Sequence, residues 1–144
     1  MARILIVEDN PANMRLACLL LQSAGHTLLC AVDAEAGLTL ARAEKPDLIL
    51  MDIQLPGMDG LAATVQLKKD PATAAIPVIA LTAMAQMEDQ EKAKAAGCDG
   101  YIAKPLSIRG LYSAIDILLP QGGGLKTVLD EDRIEYLAHF IGQK

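Results

Sequence analysis

Apolar residues gather in four short runs along the chain, Ile4 to Val7, Leu28 to Val32, Leu48 to Met51 and Val78 to Leu81, with a shorter fifth from Tyr101 to Ala103. None of these runs alternates polar with apolar, which is the pattern of strands buried on both faces of a parallel sheet. The segments between them carry helical period. Asn10 caps a helix that has Pro11 in its first turn, places Met14, Ala17, Cys18 and Leu21 on one face, and stops at Gly25. Asp33 caps a short second helix through Leu38 and Ala41, ended by Pro46, and Asp59 caps a third through Leu61 and Val65 that runs out near Asp70-Pro71. A fourth is expected from about Ala85 to Ala96 with Gly97 as its stop. A fifth follows a cap at Ser107 and runs along Leu111, Ala114, Ile115 and Leu118. Strand and helix thus alternate five times, which predicts an α/β fold: a doubly wound, five-stranded parallel sheet with right-handed crossovers and helices on both faces.

The texture changes after Pro120. Gln121-Gly122-Gly123-Gly124 is a flexible break, so residues 1–120 read as one domain and 121–144 as an extension too short for another. Within the extension, Ile134, Leu137, Ala138 and Ile141 recur at helical spacing behind a cap at Asp130, predicting a C-terminal accessory helix over about 130–141. Docking on its own domain is the simpler role for it, and a partner or homodimer contact the alternative.

Composition narrows the function classes. The 144 residues are 52% hydrophobic, enough for a core without metal or disulfide staples. Thirteen Lys and Arg against 18 Asp and Glu give a net charge of -5, the wrong sign for direct nucleic-acid binding. The longest apolar run, Leu16 to Leu21, is far short of the roughly 20 residues of a membrane helix. Only Ile4 to Val7 separates the first residues from two acids, which leaves no signal-peptide region and predicts a cytoplasmic protein. Cys18, Cys30 and Cys98 show no zinc or redox spacing and read as small buried or partly buried apolar side chains in a reducing compartment. At 3% aromatic content, base-stacking platforms and aromatic cages are excluded as well.

In an open parallel sheet, functional side chains collect beyond the carboxyl ends of the strands. Those ends carry Glu8 and Asp9 after the first strand, Asp52 after the third, Thr82 after the fourth and Lys104 after the fifth. Three carboxylates placed together repel unless a cation neutralises them, and oxygen ligands with room for water select a hard ion such as Mg2+. Lys104 adds a mobile positive charge and Thr82 a hydroxyl donor. The set suits in-line phosphoryl transfer to a carboxylate, with Asp52 attacking phosphorus and an aspartyl phosphate as product.

Four motifs carry a family resemblance: Val7-Glu8-Asp9-Asn10, Leu50-Met51-Asp52-Ile53-Gln54-Leu55-Pro56-Gly57-Met58-Asp59-Gly60, Ala80-Leu81-Thr82-Ala83 and Lys104-Pro105. Over about residues 2–120 the chain resembles the receiver domain of two-component response regulators, and Met51 to Pro56 is similar to the single-domain cell-division subgroup, a stretch shared with relay and hybrid-kinase receivers. The resemblance implies a flavodoxin-like strand order of 2-1-3-4-5. It implies Asp52 as the phosphoacceptor, with Asp9, Asp52 and the Gln54 backbone carbonyl ligating Mg2+ and Glu8 acting through water. Thr82 and Lys104 would hold phosphoryl oxygens, Tyr101 would be the switch aromatic, and the bond before Pro105 would be cis. Gln54 and Met84 would border the water path for dephosphorylation. The implied function is a stand-alone regulator, not an enzyme acting on another substrate. It would take its phosphoryl group from a sensor histidine kinase or a histidine phosphotransfer protein and present an altered surface to a downstream effector.

Two rival classes are disfavoured. A phosphohydrolase with an aspartyl intermediate needs a second acid two residues after the nucleophile, where Gln54 stands, and a flavin carrier needs aromatics to sandwich its ring. Gly57 and Gly60 are expected to serve the turn and the helix start, since no phosphate-cradling glycine motif is present. Lys68-Lys69 and the charge run from Glu88 to Lys94 read as solvated helix surface, and His26 and His139 have no assigned chemistry.

Overall fold

The computed structural model describes residues 2–55, 57–82, 87–103 and 108–118. Strand and helix alternate as the periodicity requires: β1 (Arg3–Val7), α1 (Pro11–Ser23), β2 (Thr27–Ala31), α2 (Ala34–Glu44), β3 (Leu48–Asp52), α3 (Gly60–Lys69), β4 (Val78–Thr82), α4 (Met87–Ala96), β5 (Gly100–Ala103) and α5 (Ile108–Leu118). All strand pairings are parallel and the order is β2-β1-β3-β4-β5, the flavodoxin-like arrangement.

Strand alternation sorts the apolar side chains into two cores. Ile4, Ile6, Leu48, Leu50, Ile79, Leu81 and Ile102 pack against Ala17 and Leu21 of α1 and Leu111, Ala114 and Ile115 of α5. The intervening residues, among them Leu5, Val7, Ile49, Met51, Val78 and Ala80, pack against Leu38 and Ala41 of α2, Ala63 and Leu67 of α3, and Ala93 of α4. β3 and β4 are buried on both faces throughout. Truncating a central side chain such as Leu50 to Ala would cost about 2–5 kcal/mol.

The caps behave as their chemistry dictates. Asn10 accepts hydrogen bonds from the Ala12 and Asn13 N–H groups, Asp33 from Ala36 and Asp59 from Ala62. α2 ends with Lys45 in the left-handed region at φ 47°, next to Pro46, which disfavours a further helical turn. Glycines at φ 91° and 104°, Gly25 and Gly97, follow α1 and α4.

Three sequence expectations need correction. β2 is an edge strand, paired to β1 alone, so Leu28 and Leu29 are half-buried and Cys30 exposed; Val32 lies outside the strand and is 62% exposed. The three cysteines are not uniformly buried: Cys98 is buried, Cys18 half-buried and Cys30 exposed. Lys68 is not free surface, because its ammonium donates to the Ala74 and Ile76 carbonyls at 3.3 and 2.8 Å and pairs with Asp99 at 3.0 Å. The start of α4 at Ala85, the Ser107 cap and the accessory helix over about 130–141 lie outside the described residues.

Candidate functional site

The carboxyl ends of the central strands are level. Val7 is in register with Met51, Asp52 with Leu81, and Thr82 with Ala103. Glu8 therefore leaves β1 beside Asp52, the last residue of β3, and each continues the even-numbered side of its strand. Asp9 follows on the loop. Carboxylate oxygens of Glu8, Asp9 and Asp52 all lie within 4.8 Å of one another. Glu8 and Asp52 are each only 2% exposed, while Asp9 is open to solvent. Two acids so buried, with a third at the mouth, form a site of strong negative potential that favours a cation.

Local hydrogen bonds fix this geometry. The Glu8 N–H donates to the Ala31 carbonyl at 3.0 Å, extending the β1–β2 ladder by one residue, and the Glu8 carboxylate accepts the Asn10 N–H at 3.1 Å. Asn10 thus aims an acid and caps α1 at once. Opposite it, Asp52 Oδ1 accepts the Gln54 N–H at 2.9 Å, and the Ile53 N–H donates to the Leu81 carbonyl at 3.0 Å. The first bond bends the chain just after the acid, and the second extends the β3–β4 ladder by one residue.

Gly60 is a site residue that the motif reading undervalues. A Cβ there would fall on the Asp52 carbonyl oxygen and lie 2.7 Å from Ile53 Cα, so the start of α3 can rest against the strand end only without a side chain. Gly57, by contrast, has open space around it and serves its turn through φ 73°.

Thr82 ends β4 next to the acids and is fully buried, and Tyr101 on β5, paired with Ala80, is 4% exposed within the core beneath α4. The Gln54 side chain is exposed. The structure thus brings Glu8, Asp9, Asp52 and Thr82 to one edge, with Tyr101 one strand further on. Lys104, Pro105 and Met84 lie outside the described residues.

Three all-oxygen donors at this spacing fit a hard divalent ion, and Mg2+ matches them in charge and ligand type. An acid trio beside a threonine at the carboxyl edge of a parallel sheet suits a cation and an oxyanion together. The profile of the response regulator receiver domain matches residues 4–116, and the chain belongs to that family.

Among curated relatives, Protein PilH of Pseudomonas aeruginosa is 44% identical over 119 residues, covering 83% of this chain and 98% of the relative. The polar-differentiation response regulator DivK of Brucella anthropi is 46% identical over 105 residues, covering 73% and 85%. Among solved structures, the receiver domain of a P. aeruginosa sensor histidine kinase superposes with a TM-score of 0.78 at 34% identity, covering 83% of this chain and 98% of that one. It was crystallised with a magnesium ion coordinated in its active-site cleft. The Vibrio cholerae chemotaxis regulator CheY4 also gives 0.78, at 26% identity over 83% and 99%. Receiver domains of this family accept phosphoryl groups from histidine kinases, and Mg2+ is the cofactor.

Proposed function

We propose that Asp52 is the phosphoacceptor, supported above all by its place among Glu8, Asp9 and Thr82 at the level edge of the sheet. A carboxylate oxygen of Asp52 attacks the phosphorus of a phosphohistidine. The P–N bond breaks, the imidazole keeps the electron pair, and an aspartyl phosphate forms. Asp9, Asp52 and the Gln54 backbone carbonyl would hold Mg2+, with Glu8 as an outer acid; when bound, the ion would supply positive charge against the phosphoryl oxygens. Thr82 donates its hydroxyl and Lys104 its ammonium to the same oxygens. Repositioning Thr82 and Tyr101 then alters the surface of α4, β5 and α5.

The partners in this reading are a sensor histidine kinase or histidine phosphotransfer protein and a downstream effector, in the cytoplasm and without direct nucleic-acid contact. Among the described residues no helix is long and apolar enough to cross a membrane. The chemistry is confined to the protein's own phosphorylation and dephosphorylation. By the family resemblance Gln54 and Met84 would border the path of the hydrolytic water, and the apolar thioether of Met84 would make spontaneous loss slow. Residues 1–120 constitute the receiver and 121–144 an appended segment.

Incubation with acetyl phosphate and Mg2+, followed by mapping of the acyl phosphate, tests the assignment. Label is expected on Asp52 and should vanish in Asp52→Asn; full labelling of that variant would overturn it.

A further inference from the structure

Cys18 and Cys30 are separated by eleven residues, and no sequence spacing connects them. The fold does. Leu28 and Cys30 share the face of β2 that α1 covers, while Cys18 lies on the side of α1 that packs into the same layer. Their sulfur atoms stand 3.7 Å apart. We propose that Cys18 and Cys30 form a reversible disulfide under a hydroperoxide oxidant, stapling α1 to the edge strand β2.

The geometry is close to that of the bond. Closing the gap to a disulfide length of about 2.05 Å needs the sulfurs to move by about 1.7 Å, a shift that an edge strand and a surface helix accommodate more readily than a buried core. Exposure assigns the order of events. Cys30, open to solvent, meets the oxidant, whereas Cys18 is half-buried. Burial, and then the neighbouring Cys30 sulfur through hydrogen bonding and charge, push the Cys18 thiol up to about 11. That keeps Cys18 a protonated resolving thiol while Cys30 is reduced.

The balance is closed. The Cys30 thiolate attacks one peroxide oxygen, the O–O bond breaks, and the departing hydroxide takes a proton and leaves as water, so Cys30 becomes a sulfenic acid. The Cys18 sulfur then attacks the Cys30 sulfur, the S–O bond breaks, and the hydroxyl leaves with the Cys18 proton as a second water. Two thiols lose two electrons to one peroxide. Cys98, buried beside the Thr64 hydroxyl at 3.9 Å on the opposite side of the sheet, stays outside this chemistry.

Trypsin releases both residues in the single peptide Leu16–Arg42, so one mass measurement reads the outcome. The reduced full-length protein is exposed to hydrogen peroxide, alkylated with iodoacetamide and digested. The expected peptide is lighter by two hydrogens and carries no alkyl group, and prior dithiothreitol restores two alkylation sites. Cys30→Ser should leave Cys18 alkylated after peroxide. Cys18→Ser should leave Cys30 as a sulfenic acid captured by dimedone. Two alkyl groups on the oxidised wild-type peptide, a disulfide that joins Cys98, or a bridge between two chains as the main product would each overturn the proposal.

Discussion

At the amino end of the sheet, the residue preceding a strand repeatedly accepts a backbone N–H from the neighbouring strand. His26 Nδ1 accepts from Ala2 at 3.2 Å, Asp47 from Arg3 at 2.9 Å, and Asp99 from Val78 at 2.9 Å. Ion pairs stand there as well: Arg3 bridges to Glu44 at 2.7 Å and Lys68 to Asp99 at 3.0 Å. At the carboxyl end, the residues closing β1 and β3 bring three acids together instead. The same parallel ladder therefore ends in two different chemistries. At the amino end, polar side chains finish backbone bonds that the sheet leaves open, which serves stability. At the carboxyl end they gather acids, whose mutual repulsion a bound cation relieves.

The sharpest way to break this contrast is to remove an acid from the carboxyl end. Asp9→Asn should abolish labelling by acetyl phosphate and Mg2+, because a metal ligand is lost. Asp9 is exposed, so unfolding stability should stay within about 0.5 kcal/mol or rise as repulsion is relieved. Parallel labelling and thermal melts check both halves; a large drop in Tm would show that the acid pair is structural after all.

The opposite edge should answer in the opposite way. Asp99→Ala strands the Val78 N–H and breaks the pair with Lys68, whose ends are 21% and 38% exposed. The ion pair is solvent-screened and contributes little, so most of the expected loss, about 1–2 kcal/mol, comes from the missing acceptor. Chemical denaturation should show that loss while phosphoryl labelling is retained. Normal stability would remove Asp99 from the scaffold.

What the sequence made legible follows the same division. Five apolar runs, three Asn or Asp caps and the acids at the strand ends depend on local order, so β1, β3 and β4 and the Glu8, Asp9 and Asp52 cluster could be placed from spacing and topology alone. The edge position of β2 was hidden, because Leu28 to Val32 is as apolar as a central strand and exposure depends on which neighbours pair. Lys68 was hidden for a related reason: a lysine beside another lysine at a helix end looks solvated until the loop before β4 brings two carbonyls to it and the residue before β5 brings Asp99. Gly60 stood within a recognised motif, yet its close approach to the Asp52 carbonyl is a fact of packing. The meeting of Cys18 and Cys30 likewise needed the register of α1 over β2.

The smallest expected effect sharpens the amino-end account through pH. His26 is buried; its Nδ1 accepts the Ala2 N–H, and its Nε2 has no hydrogen-bond partner among the described residues. Burial first, and the charge of the chain's N-terminus second, hold its pKa below the ordinary 6.5. Protonation would put a donor where Nδ1 must accept and a charge where Nε2 has no acceptor. The sign follows directly. Well above pH 6.5 both folded and unfolded chains hold a neutral imidazole, and the contribution of His26 to stability is fully present. As pH falls through 6.5 the unfolded chain takes up a proton that the folded protein refuses, and stability is lost until the pH passes below the folded value. Most carboxylates titrate below about pH 5, so the window between about 5 and 7 isolates the histidine. His26→Gln keeps an acceptor on the side chain but cannot titrate. Its Tm should therefore fall less steeply than that of the wild type across this window. Equal slopes for the two proteins would remove His26 from the acid sensitivity and leave its bond to Ala2 as its sole structural role.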